Sequence, residues 1–542
     1  MENKIIELGL DSQAKIINGV RKVANAIKVT LGPAGQAVAI ASEFGAPEIT
    51  RDGATVAKTI QLKDQKENIG AQLVKSAATL TEEQAGDSTS TTSILIMEMC
   101  ERGQRYLNAG SNVNEIKSGM LKASGWVKKY IKSKAISIDG DLEKIRRVAT
   151  ISANNDPQVG DLVVECMKQV GVNGVITADM SSGVDTNIEV TTGMKLERGW
   201  SSPQYVTEAE TGKCILENPY VVVIGEKLQS VAQILPLIQQ IMQGGKGRPF
   251  LIICDDINDV VNTTLIMNTL QGAISCCVIK GVDFGDSREN IMQDIAISCG
   301  GTYICEKNGL TTTDAKLEHL GSAKRVVVSR DETIIYEGYG DPDDVAKRTE
   351  ILKARLSDSS ISSYDRSKFE KRVANLSGGI GIIKAGGATE AEKMNRKATI
   401  EDAILASKSA LAEGCAPGGG YVYLMASQEV KSDKKFWNSL EGDEKDGAMI
   451  VFSSLPVILK TIANNSGRSG DVILEEVLKS RKKNAWGYNA KTKKFGYLLK
   501  EGILDSAKAL RVALENSVST ASMILLTDCT IVNDESDKEK EE

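Results

Sequence analysis

The sequence predicts a multidomain α+β protein, and three observations carry that expectation. Apolar residues recur at helical spacing near both chain ends. Between them lies a stretch of short β-prone runs separated by gaps long enough for helices. The 542 residues exceed what one hydrophobic core organises, because domains hold roughly 100–200 residues each.

From Asn3 to Val29 the helical period holds until Leu31-Gly32-Pro33, where glycine and proline stop it and a loop opens. A second helix is expected from near Asp87 through Cys100; residues 93–100 are apolar on nearly every side and should be deeply buried. Residues 220–224, 250–254, 274–279 and 302–305 read as strands, and their alternation with helix-length gaps predicts a mixed α/β domain with parallel strands. Thr192-Gly193-Met194 and Ser377-Gly378-Gly379-Ile380-Gly381 flank this region and suit either paired hinges or ordinary turns. Long helices return toward the end, and residues 534–542 form a charged tail expected to be disordered.

Composition narrows the function. With 41% apolar and 25% charged residues the chain is an ordinary globular one. A net charge of −6 supplies no basic field, so nucleic acid is not an expected partner. The first residues lack the features of a signal or transit peptide and no run of about 18 apolar residues stands out, which points to a cytoplasmic protein with no membrane partner. Ten scattered cysteines without a Cys-x-x-Cys pair suggest buried free thiols, not a zinc site or disulfides. His319 is the single histidine, which excludes any mechanism needing two imidazoles and leaves carboxylates, hydroxyls and backbone to do the chemistry.

Three constellations could carry that chemistry. Thr30 to Gly35, then Arg51-Asp52-Gly53, then Gly86-Asp87-Ser88-Thr89-Ser90-Thr91-Thr92 would suit a nucleoside triphosphate: glycines admit phosphate, a helix N-terminus offers N–H groups, hydroxyls add donors and Asp87 could hold Mg2+. Asp87 ahead of hydroxyl residues also fits an ordinary helix cap. No P-loop sequence is present. In the helix expected over residues 398–411, Ile400, Ile404, Ser407 and Leu411 share one face, and Asp402 lies about 200° from Ile400. That carboxylate belongs either to a solvated face or, beside a phosphate, to a water-positioning group. In residues 230–242 the apolar side chains cover about 160° of a helix, wider than a core stripe; they fit core packing on both sides or an exposed groove that accepts many partners.

Taken in order, these segments resemble the group I chaperonins, the GroEL family, from the N-terminal helix to about Asn533. The matches are Val29-Thr-Leu-Gly-Pro33, Phe44-Gly-Ala-Pro-Glu-Ile-Thr-Arg-Asp-Gly53, Glu67-Asn-Ile-Gly-Ala-Gln72, Ala85-Gly-Asp87, Gly285-Asp286, Thr399-Ile-Glu-Asp-Ala403, Gly418-Gly-Gly420, Gly487-Tyr-Asn-Ala490 and Gly502-Ile-Leu-Asp505.

The resemblance implies chaperonin architecture: a mainly helical equatorial domain (1–134 and 413–533), a small intermediate hinge domain (135–191 and 381–412) and an α/β apical domain (192–380). It favours hinges at the two glycine spots. It implies an ATPase that folds other proteins, with ATP and Mg2+ as cofactors and K+ as an optional further cation. Thr30, Leu31, Gly32, Pro33, Arg51, Asp87, Ser88, Thr89, Ser90 and Thr91 would line the phosphates, with Asp87 on the metal. Gly419, Asn489, Ala490, Lys491 and Asp505 would hold the adenosine, while Asp52 and Asp402 would orient the attacking water. Non-native polypeptide would bind at Trp200, Gln204, Tyr205, Leu235, Ile238, Asn262, Ile266, Met267 and Asn268. The implied partners are such polypeptides, further copies in a homo-oligomeric ring of seven, single or double, and optionally a co-chaperonin.

Several residues depart from the family pattern. Ser88 stands where the family has glycine, Ala34 and Arg51 replace lysines, Gln204 and Asn262 replace apolar residues, and a charged tail replaces Gly-Gly-Met repeats. They mark a divergent member, of the kind a virus or an unusual bacterium encodes. A ring that holds unfolded protein without coupled ATP turnover is the alternative.

Overall fold

The structure is a computed structural model that describes residues 4–533, apart from 42–46, 139, 154, 172–173, 210, 246, 284, 357–367, 370–371, 374, 377 and 481–484. The expected tail at 534–542, Ser377 of the second glycine spot and residues 44–46 of the family match lie outside the described residues. The chain divides into two compact units: Met1–Val164, Met180–Thr186 and Ala385–Glu542 form one, and Glu165–Asp179 and Asn187–Lys384 form the other.

The first unit is a helical body. Its Gly9–Lys28 helix buries Ile16, Val20, Val23 and Ile27 at the helical period. This helix meets the Gln65–Ala85 helix through paired glycines: a Cβ at Gly19 would overlap the Glu67 carbonyl, and one at Gly70 the Ile16 carbonyl. The Thr89–Asn108 helix buries every residue from Thr91 to Met97, as its all-round apolarity requires. The Ala507–Leu526 helix lies against it, with Ser517 Oγ donating to the Thr92 carbonyl at 3.1 Å.

One expectation is corrected here. Residues 4–8 do not extend the first helix; Lys4–Leu8 is a strand paired antiparallel with Cys529–Asn533, and Gly9, at φ +74°, turns the chain from strand into helix. The stretch Glu444–Asn465 is long and apolar enough to cross a membrane by composition alone. Its Ile450, Val451, Leu455 and Ile458 sit in the core, which accounts for that composition.

The second unit is built on a nine-stranded sheet. Tyr220–Leu228, Phe250–Ile257 and Cys276–Lys280 run parallel, with Tyr220, Phe250 and Cys276 in register. The run at 302–305 gives no strand, only a parallel bridge from Ile304 to Ile224. Gly300 and Gly301 precede it and a 3-10 turn begins at Glu306, so the extended length is too short for a ladder. At their described residues neither glycine spot is a turn. Gly193 lies on Asn187–Leu196 and Gly379 and Gly381 on Gly379–Ala385, neighbouring antiparallel strands. Their glycines serve close packing: a Cβ at Gly193 would overlap Ile380, and one at Gly381 would overlap the Cys166 sulfur. All the cysteines except Cys529 are buried, none is in a disulfide, and burial pushes the Cys276 and Cys299 thiols up to about 12.

A buried ion cluster ties this unit together. The Asp294 carboxylate accepts from Arg372 Nε at 2.6 Å and Nη2 at 3.0 Å, and from Arg348 Nε at 2.8 Å, with the Asp294 side chain only 4% exposed. Removing the shared anion strands two guanidinium groups. Asp294→Ala should therefore cost about 3–5 kcal/mol of stability, read from denaturant unfolding; a loss below about 1 kcal/mol would show that the cluster is solvated.

Candidate functional site

Within the first unit, loops from both halves of the chain enclose a cavity of about 520 Å³. One wall is the loop after the first helix. Thr30 Oγ1 donates to the Ile27 carbonyl at 2.8 Å, Gly32 adopts φ +86°, and Asn465 Nδ2 pins the loop by donating to the carbonyls of Lys28 (3.0 Å) and Leu31 (2.9 Å). Asp52 caps the short Gly53–Thr59 helix, accepting from the N–H groups of Ala54 (3.1 Å) and Thr55 (2.6 Å). Gly53 packs against Ser90, since a Cβ there would overlap Ser90 Oγ and displace it. Ser90 Oγ in turn lies 3.4 Å from Thr30 Oγ1. Both loops thus converge on the first turn of the Thr89–Asn108 helix, whose N–H groups have no partners within the helix.

The turn into that helix is unusual. Gly86 ends the preceding helix at φ +69°, and Ser88 follows at φ +73°, a left-handed conformation that suits glycine and strains a residue with a Cβ. Ser88 Oγ makes no capping bond, while the Ser88 N–H donates to the Asp87 carboxylate. Asp87 is therefore not the cap of this helix. Burial raises the Asp87 carboxyl above its ordinary range, and the nearby Asp52 charge adds to this, against the Ser88 amide and the Ser152 hydroxyl.

Asp402 arrives on the Glu390–Glu413 helix, whose Ile400, Ala403, Ile404 and Ser407 are buried. Ser409 Oγ on the same helix donates to the Ala85 carbonyl at 2.7 Å, fastening it beside the Asp87 turn. Asp402 is half-buried and lines the cavity; burial, then the charges of Asp52, Asp87 and Glu82, push its carboxyl well above the usual range. Asp505 sits on Leu504–Ser506, opposite Ala416 of Cys415–Pro417. A Cβ at Gly418 would lie 2.7 Å from its Oδ1. Burial and the Asp87 charge raise Asp505 to about 7, against a bond from the Gly419 amide.

The cavity lining includes Thr30, Leu31, Gly32, Pro33, Arg51, Asp52, the whole run Asp87 to Thr91, Asp402, Gly419, Asn489, Ala490, Lys491 and Asp505, residues up to 475 positions apart that the sequence argument had singled out. The hairpin Trp486–Asn489 and Lys494–Tyr497 carries Asn489, whose Oδ1 accepts from the Lys491 N–H at 3.0 Å and whose Nδ2 donates to Glu501 at 2.5 Å. Glu82, Glu143, Arg146, Arg147, Ser152 and Tyr488 also line it and were missed; the first five lie on helices, outside any quoted match, and Tyr488, inside the Gly487-Tyr-Asn-Ala490 match, was given no role. Among the described residues no three carboxylate, thiol or imidazole groups converge to hold a metal ion. Asp87, a half-buried carboxylate among hydroxyls, is instead a donor set that would suit a Mg2+ keeping waters and phosphate oxygens as its other ligands.

In the second unit the expected polypeptide-binding residues fall into three groups. Leu235 and Met267 are 43% and 49% exposed, on the Val231–Gln243 and Asp259–Leu270 helices, and Gln204 is exposed. Trp200, Ile238, Asn262 and Asn268 are half-buried. Tyr205 and Ile266 are buried in the core and present no surface, a correction to their expected place. Asn262 faces inward as well: its Oδ1 accepts from Tyr205 Oη at 2.9 Å and Ser201 Oγ at 3.0 Å, fixing the Pro203–Tyr205 turn.

Two outcomes follow from the cavity. A carboxyl whose folded pKa exceeds its unfolded value holds its proton more tightly when folded, so its stabilising contribution is complete below about pH 4 and is lost as pH rises through about 7 for Asp505. Asp505→Asn should raise the Tm of the ligand-free protein near pH 8 and flatten its fall between about pH 5 and 8; an unchanged slope would refute this. Ser88→Gly should stabilise the protein by roughly 1 kcal/mol by removing the left-handed strain, seen as a higher unfolding midpoint. A lower midpoint would mean the serine hydroxyl is needed there.

The model of the TCP-1/cpn60 chaperonin family matches residues 23–535. The fold is also that of the chaperonin gp146 of bacteriophage EL 2 (Pseudomonas aeruginosa), crystallised in the presence of ATP-BeFx. In one crystal form the TM-score is 0.71 at 21% identity, over 98% of this chain and 99% of that one. In the other the TM-score is 0.65 with the same identity and coverage. With a family match across nearly its whole length and a chaperonin fold throughout, the chain belongs to the TCP-1/cpn60 chaperonin family.

Proposed function

We propose that this chaperonin is an ATP-dependent foldase: a homo-oligomeric ring, seven-membered as in the family it resembles, that binds non-native polypeptide and releases it on ATP binding and hydrolysis in the cytoplasm. The observation that carries this is the convergence of the Thr30–Pro33 loop, the Thr89–Asn108 N-terminus, Asp52, Asp87 and Asp402 on one cavity. The crystallisation of the phage relative with an ATP analogue supports the same ligand class.

In this reading the free N–H groups and hydroxyls of residues 88–91 hold phosphate oxygens. Asp87 would hold Mg2+, which when bound would supply charge neutralisation at the phosphates. Asp402, its proton affinity raised by burial and by Asp52 and Asp87, accepts a proton from the attacking water, which Asp52 helps to orient. Exposed Leu235 and Met267 offer apolar surface to unfolded chains. The three-domain division and the hinges at Gly193 and Gly379–Gly381 belong to this proposal, as does K+ as an optional cation and a co-chaperonin as an optional partner.

Steady-state ATP hydrolysis by the wild type and Asp402→Ala tests it. Loss of the base should lower turnover by about 10²–10⁴-fold while nucleotide binding persists. Equal and negligible rates in both proteins would sink the foldase and leave a ring that holds unfolded protein without turnover.

A further inference from the structure

The Leu142–Ser152 helix brings Glu143, Arg146 and Arg147 to the cavity wall, and nothing in the proposed hydrolysis uses them. Glu143 accepts from Arg146 Nε and Nη2, each at 2.8 Å, and from Arg147 Nε at 3.1 Å. One carboxylate thus serves two guanidinium groups. Arg146 takes the bidentate share, and its Nη1 also lies 3.6 Å from Asp161. Arg147 keeps only a shared oxygen and a long bond from Nη1 to the Leu499 carbonyl at 3.3 Å.

The position of Arg147 is defined by its stem. Gly502, at φ +75°, lies beneath it, and a Cβ there would come within 2.8 Å of Arg147 Cδ. Gly502 separates Glu501, which accepts from Asn489, from Ile503, and all of these residues line the cavity. This wall offers the Ile503 side chain and backbone, while its Glu501 carboxylate and the Asn489 amide are engaged with each other. The hydroxyls and free N–H groups suited to phosphate are instead gathered at the first turn of the Thr89–Asn108 helix. A planar guanidinium stacks on planar rings, which a lysine ammonium cannot do.

We propose that Arg147 closes over the nucleobase of the bound nucleotide, exchanging its Leu499 carbonyl bond for the face of the ring and acting as a specificity-determining residue. The inference rests on the nucleotide reading of the cavity. It is tested by equilibrium binding of ATP and of inorganic tripolyphosphate to full-length wild type, Arg147→Ala and Arg147→Lys, with thermal melts of each protein. Arg147→Ala should weaken ATP roughly five- to twentyfold while leaving tripolyphosphate within about twofold, and Arg147→Lys should recover little of the ATP affinity. Equal weakening of both ligands would assign Arg147 to phosphate and overturn the inference. An altered melt with an unchanged ratio of the two affinities would reduce it to a structural tie and also overturn it. If the wild type binds neither ligand, the nucleotide reading itself fails and this inference falls with it; if it binds ATP and Arg147→Ala binds equally well, this inference alone fails.

Discussion

Leu405 packs onto Gly86 so closely that a methyl group at position 86 would occupy the same space. That contact, with the Ser409 bond to Ala85, presses the Asp402 helix against the turn that presents Asp87. The consequence is electrostatic. Asp52, Glu82, Asp87, Asp402 and Asp505 share one cavity, and the carboxyls of Glu82, Asp87, Asp402 and Asp505 are all raised by burial. A crowd of partly desolvated acids is costly without positive charge. The rest of the unit must hold it in place, through glycine-mediated helix contacts and a core that runs through the Gly9–Lys28, Thr89–Asn108 and Ala507–Leu526 helices.

The same crowding gives the site a direction of response. A cation arriving with a polyphosphate would relieve the repulsion and draw the acids closer, so ligand affinity and local order rise together. Ser88 sits at the centre of this arrangement in a backbone conformation that glycine would adopt at lower cost, and such strain is tolerated where the surrounding structure over-determines it.

Much of this was legible in the sequence, though unevenly. The buried run from Thr91 to Met97 and the parallel central strands follow from apolar pattern alone. The helical projection placed Asp402 off the core face, but could not show that other segments half-bury it in a cavity. The gathering of Asp52, Asp402, Asn489 and Asp505 came from family resemblance, because no local spacing connects residues so far apart. The N-terminal strand was hidden for the same reason: its partner, Cys529–Asn533, lies at the other end of the chain. Arg147 was hidden because an arginine on an amphipathic helix looks like a solvated one until its neighbours are known. Tyr205 and Ile266 were placed on the surface by analogy, whereas the Asn262 hydrogen bonds and the close packing around them draw them inward.

The central claim is that one assembly holds unfolded protein and lets it go in response to ATP. Electron microscopy of the purified full-length protein with a denatured, labelled polypeptide, before and after ATP, tests this most directly. The account predicts rings that carry the label without nucleotide and lose it, with a changed ring conformation, once ATP is added. Monomers under every condition, or rings whose label and shape ignore ATP, would contradict it.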